Sequence, residues 1–380
     1  MQSHKTDYWI LISVLLLIFI GVMMVYSASA ILANEKFHDS YYYLKKEIVF
    51  ALVAIGLMFT MMKINYRIYW KMVYPFMLIT LVLTALVCIP GIGVKAGGAR
   101  RWIVIAGFSF QPSEMVKLSL LLFMAYSLAK KREKMEQFTI GILPHVVVAG
   151  LMMGLILLQK DLGTTFTLGV VLMILLFVGG TRLSYLAGGV LLAIPALYLL
   201  VFSVDYRRQR ILAFLDPWTH ISDSGFQIIQ SYIGFNRGGI WGAGLGQGKQ
   251  KLFYLPAAHT DFILSVVGEE LGLFGVLFVL ALFIILIVRG FRTALRAPDL
   301  FGTYLALGIT TLVGVQSLIN FGVVMGLLPT KGLPLPFISH GGTSLIVMAM
   351  CMGILLNIAS QVGSSPATSS SYDRGKNGTW

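Results

Sequence analysis

Charge is what this sequence has least of. Asp, Glu, Lys and Arg together make up 12% of its 380 residues, about half the share of an ordinary soluble domain, which leaves too little polar side chain to clothe a water-facing surface. Cysteine is nearly absent as well. Cys88 and Cys351 both fall inside apolar runs, which excludes a disulfide framework and a cysteine metal site. Among the few charges the acidic ones are scarcer still, 16 against 29 basic, for a formal net charge of +13. That excess calls for anionic partners, either phospholipid headgroups or a phosphorylated substrate. The lack of any sizeable soluble basic domain argues against nucleic acid.

What fills the chain instead is apolar: 57% of residues are hydrophobic. Runs long enough to cross about 30 Å of hydrocarbon at 1.5 Å per residue occur at 9–32, 46–62, 72–89, 112–129, 140–158, 163–180, 184–203, 262–288, 301–327 and 339–360. The expected fold is an all-α polytopic integral membrane protein: a single domain of ten transmembrane helices over 1–360, a large outer loop at 204–261 between helices 7 and 8, and a disordered cytoplasmic tail at 361–380. The first run, with Lys5 before it and Ala28-Ser29-Ala30 near its end, imitates a cleavable secretory signal. It is longer than a signal core and nine more runs follow, so it reads as an uncleaved helix. Ten crossings put both termini on one side.

Basic residues are nearly balanced between the two sides, so density sets the orientation. The connections 63–71, 130–138 and 289–298 are short and carry three or four basic residues each, as cytoplasmic loops do. Loops 90–111 and 204–261 then face out. The outer side still holds Lys95, Arg100, Arg101, Lys160, Arg207, Arg208, Arg210, Arg237, Lys249, Lys251 and Lys331, a set suited to phosphate oxygens or to ordinary contact with anionic headgroups.

Charges inside or at the ends of the spans are costly and therefore informative. Glu114 and Lys117 stand three apart at the start of the fourth run, close enough to pair and expected to line an outer cavity. Lys160 and Asp161 lie between the fifth and sixth runs, where Asp161 also suits a helix N-cap. Asp261 sits where a polar stretch meets an apolar helix, a place for proton chemistry or metal binding, or again for a cap. Glu269, eight residues on, is expected near the Asp261 face, with Glu270 beside it. Pro329, Pro334 and Pro336 prevent a regular helix before His340, so the segment around them reads as a rigid cavity wall.

Four motifs in order, Gly98-Ala99-Arg100-Arg101-Trp102, Gln111-Pro112-Ser113-Glu114, Ala258-His259-Thr260-Asp261-Phe262 and Lys331-Gly332-Leu333-Pro334-Leu335-Pro336, resemble the SEDS family of shape, elongation, division and sporulation proteins. The resemblance runs from about residue 8 to 360 and is closer to the cell-division branch than to the elongation branch. His340 stands where the family usually has Tyr, and Lys160 where Pro commonly precedes the Asp. The resemblance implies a peptidoglycan glycosyltransferase that polymerises lipid II into glycan strands at the outer face of the bacterial inner membrane, at the division septum. Its implied partners are a class B penicillin-binding protein (an FtsI-like transpeptidase) and other divisome proteins. Asp261 matches the family's essential aspartate and is the expected base. Arg100, Arg101, Glu114, Lys117, Lys160, Asp161, Arg210, His259 and Lys331 are the candidates for binding substrate. A divalent cation, Mg2+ or Mn2+, could share the diphosphate charge with Asp261 as a ligand, although no carboxylate cluster marks a protein-only metal site. A lipid II flippase also suits broken helices and intramembrane charge, but no pair of matching halves is visible. A non-catalytic division scaffold would leave Asp261 replaceable.

Overall fold

Backbone amides cannot be hydrated in hydrocarbon, so an apolar run must satisfy them internally, as a helix. The computed structural model, which describes residues 6–96, 98–105, 108–221, 225–250 and 258–362, places a helix on each of the ten runs. These are α1 (Tyr8–Phe37), α2 (Tyr42–Lys63), α3 (Tyr69–Val87), α4 (Pro112–Lys131), α5 (Leu143–Leu158), α6 (Leu162–Val178), α7 (Leu183–Phe202), α10 (Ile263–Arg296), α11 (Leu300–Val324) and α12 (Gly342–Ser360). Among the described residues, 7 helices are long and apolar enough to cross a membrane, and α6 is a shorter apolar one. Of the remaining two, α2 carries Lys45, Lys46 and Glu47 and α4 carries Glu114 and Lys117. The expected tail lies outside the described residues apart from Gln361 and Val362, as do Lys251 and 254–257.

Local chemistry sets several helix ends. Asp7 caps α1 through the amides of Trp9 and Ile10, Asp299 caps α11 through Gly302 at 2.8 Å, and Pro112 opens α4 where its missing N–H costs nothing. In the bundle, α11, α4 and α12 are the most deeply buried, α11 packed against α10 and α4, and α12 against α2. Helix α7 lies at the margin with no buried side chain.

The two outer loops contain structure that the sequence reading left out. Loop 90–111 folds into an antiparallel sheet of β1 (Val94–Ala96), β2 (Ala99–Ile105) and β3 (Phe108–Phe110), in the order β1-β2-β3. Its β-branched run at 103–105 suits a strand. Loop 204–261 holds two short helices, α8 (Asp205–Leu215) and α9 (Phe226–Gly238).

Helix α10 is broken at Gly272, whose φ of 67° and ψ of −164° only glycine adopts readily. The backbone of 239–244 fills the break. Ala243 and Gly244 donate to the carbonyls of Glu269 and Glu270 at 2.9 and 3.0 Å, and Leu273 donates to Gly239 at 2.9 Å. The proline-rich segment between α11 and α12 is non-helical, as its prolines require. Its freed carbonyls are met by α11: Gln316 Nε2 donates to Pro334 and Asn320 Nδ2 to Leu333, both at 2.8 Å.

Candidate active site

A cavity of about 420 Å³ opens where five pieces of chain converge: β2, the α5–α6 turn, α8, the turn before α10 and the proline-rich segment. Each piece brings a charged side chain to it, namely Arg101, Lys160 with Asp161, Arg207 with Arg210, Asp261, and Lys331.

The turn carrying Asp261 is held by its backbone. Asn320 Nδ2 donates to the Asp261 carbonyl at 2.9 Å while also holding Leu333, Ser339 Oγ donates to Thr260 at 2.6 Å, and the His340 amide donates to His259 at 2.9 Å. The side chain is left for the cavity. Phe262, not Asp261, occupies the cap of α10, and no side chain caps that helix, so the capping alternative does not describe this residue. Protein surrounds Asp261 on most sides, and burial pushes its carboxyl up to about 6, against the pull of Arg210 and Arg101 and with a further push from Asp161. Gly332 leaves the approach open: a Cβ there would lie 3.3 Å from Asp261 Oδ2.

The cations divide into two kinds. Arg101 is committed to the protein, its Nε donating to Gln159 O at 3.0 Å and its Nη2 to Lys160 O at 2.7 Å, with Nη1 4.0 Å from Asp161 Oδ2. Asp161 in turn caps α6, accepting from the Thr164 amide at 3.1 Å and hydroxyl at 3.0 Å. This corner carries Lys160 at a φ of 60° and leaves its side chain exposed. Arg210 touches protein lightly, through Thr330 O at 3.3 Å and the Tyr206 ring at 4.8 Å. Lys331 lies 3.7 Å over the Phe166 ring, and burial lowers its pKa. With five cationic side chains against two carboxylates, the wall is net positive. An apolar side, formed by Leu162, Phe166, Leu197, Val201 and Ile211, completes it.

Six of the ten sequence candidates therefore meet: Asp261, Arg101, Lys160, Asp161, Arg210 and Lys331. Arg100 is not on the wall, because adjacent residues of a strand point to opposite faces and Arg101 has the inner one. Glu114 and Lys117 do pair, Lys117 Nζ donating to both carboxylate oxygens at 2.9 and 2.8 Å and to Gln316 Oε1 at 3.2 Å. They are buried inside the bundle at 3% and 0% exposure and do not line this cavity. His259 packs instead against Tyr43 and His340, with ring centroids 5.2 and 5.9 Å away, and burial lowers its pKa to about 4. His340 Nδ1 lies 2.5 Å from Glu47.

The expected place of Glu269 beside Asp261 is corrected. Asp261 precedes the first turn of α10, so helical counting from it fails. Glu269 accepts from the amides of Lys249 at 2.7 Å and Gln250 at 3.2 Å, and Glu270 from Gly246 at 3.0 Å and Ser27 Oγ at 2.7 Å. Tyr206, Trp102 and Thr330 line the cavity and were not foreseen. A helical reading of 205–215 would have placed Tyr206 and Arg210 four apart on one face. Among the described residues, no group of three or more His, Cys, Asp or Glu could hold a metal ion.

Comparison with known proteins identifies the family and the fold. Residues 8–363 match the FtsW/RodA/SpoVE family, described as cell cycle proteins. A protein of Geobacter sulfurreducens named "probable peptidoglycan glycosyltransferase FtsW" is 53% identical over 365 residues, 96% of this chain and 98% of the relative. Among solved structures, a chain from "Structural coordination of polymerization and crosslinking by a peptidoglycan synthase complex" superposes with a TM-score of 0.76 at 28% identity, covering 95% of this chain and 99% of that one. The rod shape determining protein RodA of Thermus thermophilus gives 0.70 at 26% identity, covering 94% and 98%.

Proposed function

The chain belongs to the FtsW/RodA/SpoVE family, and from that premise we propose that it is a peptidoglycan glycosyltransferase that polymerises lipid II at the outer face of the bacterial inner membrane during septal wall synthesis. The observation that carries the proposal is the cavity itself: one carboxylate without a hydrogen-bond donor among the described residues, raised towards neutrality, facing a surplus of cations beside an apolar wall.

Glycan extension needs a sugar hydroxyl to attack an anomeric carbon while the bond to a lipid diphosphate breaks. Asp261 takes the hydroxyl proton as the new C–O bond forms. The leaving diphosphate departs as an anion and needs no general acid. Lys160, Arg207, Arg210 and Lys331 face that charge, and Arg101 holds the corner that presents Lys160. Leu197 and Val201 come from α7, the helix with no buried side chain, so the apolar wall adjoins the lipid phase, where a polyprenyl chain would lie. A Mg2+ or Mn2+ ion carried in on the diphosphate would find Asp261 as its protein donor and would add positive charge at the leaving group; two carboxylates, one already capping α6, do not by themselves build a site for it. Ten crossings with both termini cytoplasmic, a class B penicillin-binding protein as crosslinking partner and other divisome proteins complete the proposal.

Asp261→Asn keeps the shape and removes the charge. The variant is expected to insert and melt like a folded protein while glycan-strand formation from lipid II falls by about 10²–10⁴ or more. Activity within a few-fold of wild type would sink the assignment and point to transport or scaffolding.

A further inference from the structure

Beyond its break at Gly272, α10 runs unbroken from Leu273 to Arg296, about 36 Å at 1.5 Å per residue, so its last turns lie on the membrane face opposite Asp261. There Arg289, Arg292 and Arg296 repeat at intervals of three and four and share one face of the helix. Arg289 is already neutralised, with Nη2 and Nε donating to Asp7 Oδ2 at 2.6 and 2.8 Å, which ties α10 to the start of α1. Arg292 and Arg296 are exposed, and neither has a carboxylate partner among the described residues. All three arginines line a polar cavity of about 400 Å³, closed by Thr6, Asp7 and the end of α12 at Ser360. Asp7 is the only carboxylate among its described lining residues, and Arg289 holds it.

This polar cavity continues into a second one. Arg289 and Arg292 also line an adjoining apolar groove of about 450 Å³, whose other walls are Trp9, Ile284, Ile285 and Val288. Three of those side chains are exposed on the bundle surface, Trp9 at 61%, Ile284 at 51% and Val288 at 44%, and Ile285 is half-buried. A tryptophan at that depth is characteristic of the lipid–water boundary. Two unpaired guanidinium groups above a surface groove lined by aliphatic carbon form an amphipathic receptacle. Its polar end suits a phosphate diester and its apolar end suits a fatty-acyl chain. An acidic peptide would satisfy the first but would have no use for the second.

We propose that the α1–α10 seam binds an anionic glycerophospholipid, with the headgroup phosphate held between Arg292 and Arg296 and one acyl chain lying along Val288 and Ile284. The site is separate from the glycosyltransferase cavity and does not depend on its chemistry. Occupancy would brace the seam between α1 and α10, the helix whose other end leads to Asp261.

The test is native mass spectrometry of the delipidated full-length protein titrated with dioleoylphosphatidylglycerol or dioleoylphosphatidylcholine. Wild type is expected to retain one phosphatidylglycerol in preference to phosphatidylcholine. The double variant Arg292→Gln, Arg296→Gln should lose that retention by at least about tenfold and with it the preference. Val288→Trp, which fills the groove, should weaken both lipids. Melting temperature and lipid II polymerisation, expected to stay near wild type in detergent, confirm that the variants fold. Equal retention of the two lipids by wild type, or unchanged retention by the double variant, would overturn the proposal. So would phosphatidylglycerol retention that emerges only after residues 363–380 are removed, since the arginines would then belong to the chain's own tail.

Discussion

Asp261 is held where its charge is disfavoured, and that gives the reaction a pH signature. A base must be ionised to accept a proton, so kcat/KM for lipid II polymerisation should rise with pH through about 6 and level off above it. A carboxylate at its ordinary value would place that limb near 4. A profile flat between pH 5 and 7 would show that Asp261 titrates elsewhere or is not the base. Stability runs the other way. Because the folded carboxyl binds its proton more tightly than the unfolded one, its contribution to folding is full below about pH 4 and is lost as pH rises through about 6. Removing the charge in Asp261→Asn should therefore stabilise the fold relative to wild type more at pH 8 than at pH 4, by at most about 3 kcal/mol at 1.36 kcal/mol per pKa unit, read as a larger gain in melting temperature at pH 8. This residue was legible because an acid in an apolar sequence stands out. Direction was not legible: charge alone does not tell that Arg101 faces the cavity and Arg100 does not, or that Glu114 and Lys117 satisfy each other and Gln316 in the interior.

At the scale of elements, the break in α10 is the least regular feature and the most exposed to a single substitution. Gly272 sits in backbone space closed to other residues, and a Cβ there would strike the Gly242 amide nitrogen and the Ile240 carbonyl that fill the break. Gly272→Ala should cost at least about 1–3 kcal/mol from conformation alone, and more from the collision. In contrast, Gly56→Ala, on an exposed helical face with nothing within 4 Å, should leave stability unchanged or raise it by up to about 1 kcal/mol of helix propensity. Fluorescence-detected melting of both variants in the same detergent checks this, and equal melting would mean that the break is not structural. The length of the apolar runs located these ten helices because lipid leaves the backbone few options. The sheet at 94–110, the helices α8 and α9 and the threading of 239–244 into α10 were missed for the opposite reason. Outside hydrocarbon, short polar segments can satisfy their amides in many ways, and Gly-rich stretches such as 242–248 carry no period to read.

For the whole molecule the open quantity is orientation, on which the proposed chemistry depends, since lipid II polymerisation at the outer face requires Asp261 to face outward. The helix ends and turns between α2 and α3, α4 and α5, and α10 and α11 cluster basic residues: Lys63, Arg67 and Lys71, then Lys130, Lys131, Arg132 and Lys134, then Arg289, Arg292 and Arg296 in the last turns of α10. Short basic connections of this kind stay in the cytoplasm. The Asp261 cavity lies at the other ends of these helices, and its own basic residues are spent facing the cavity instead of following the membrane rule. Gln247, tied through its neighbours to Glu269 and Glu270 near the start of α10, and Lys134, just past α4, are both exposed and fall on opposite faces under this topology. In a background with Cys88 and Cys351 replaced by Ala, a cysteine at 247 should react with a membrane-impermeant maleimide in spheroplasts, and a cysteine at 134 should react only after permeabilisation. The reverse pattern would place the cavity on the cytoplasmic side and remove the polymerase assignment with it. Labelling of both before permeabilisation would put the two sites on one face and mean an even number of crossings between residues 134 and 247, where opposite faces require an odd one, so the span count itself is tested: α5, α6 and α7 must together make three.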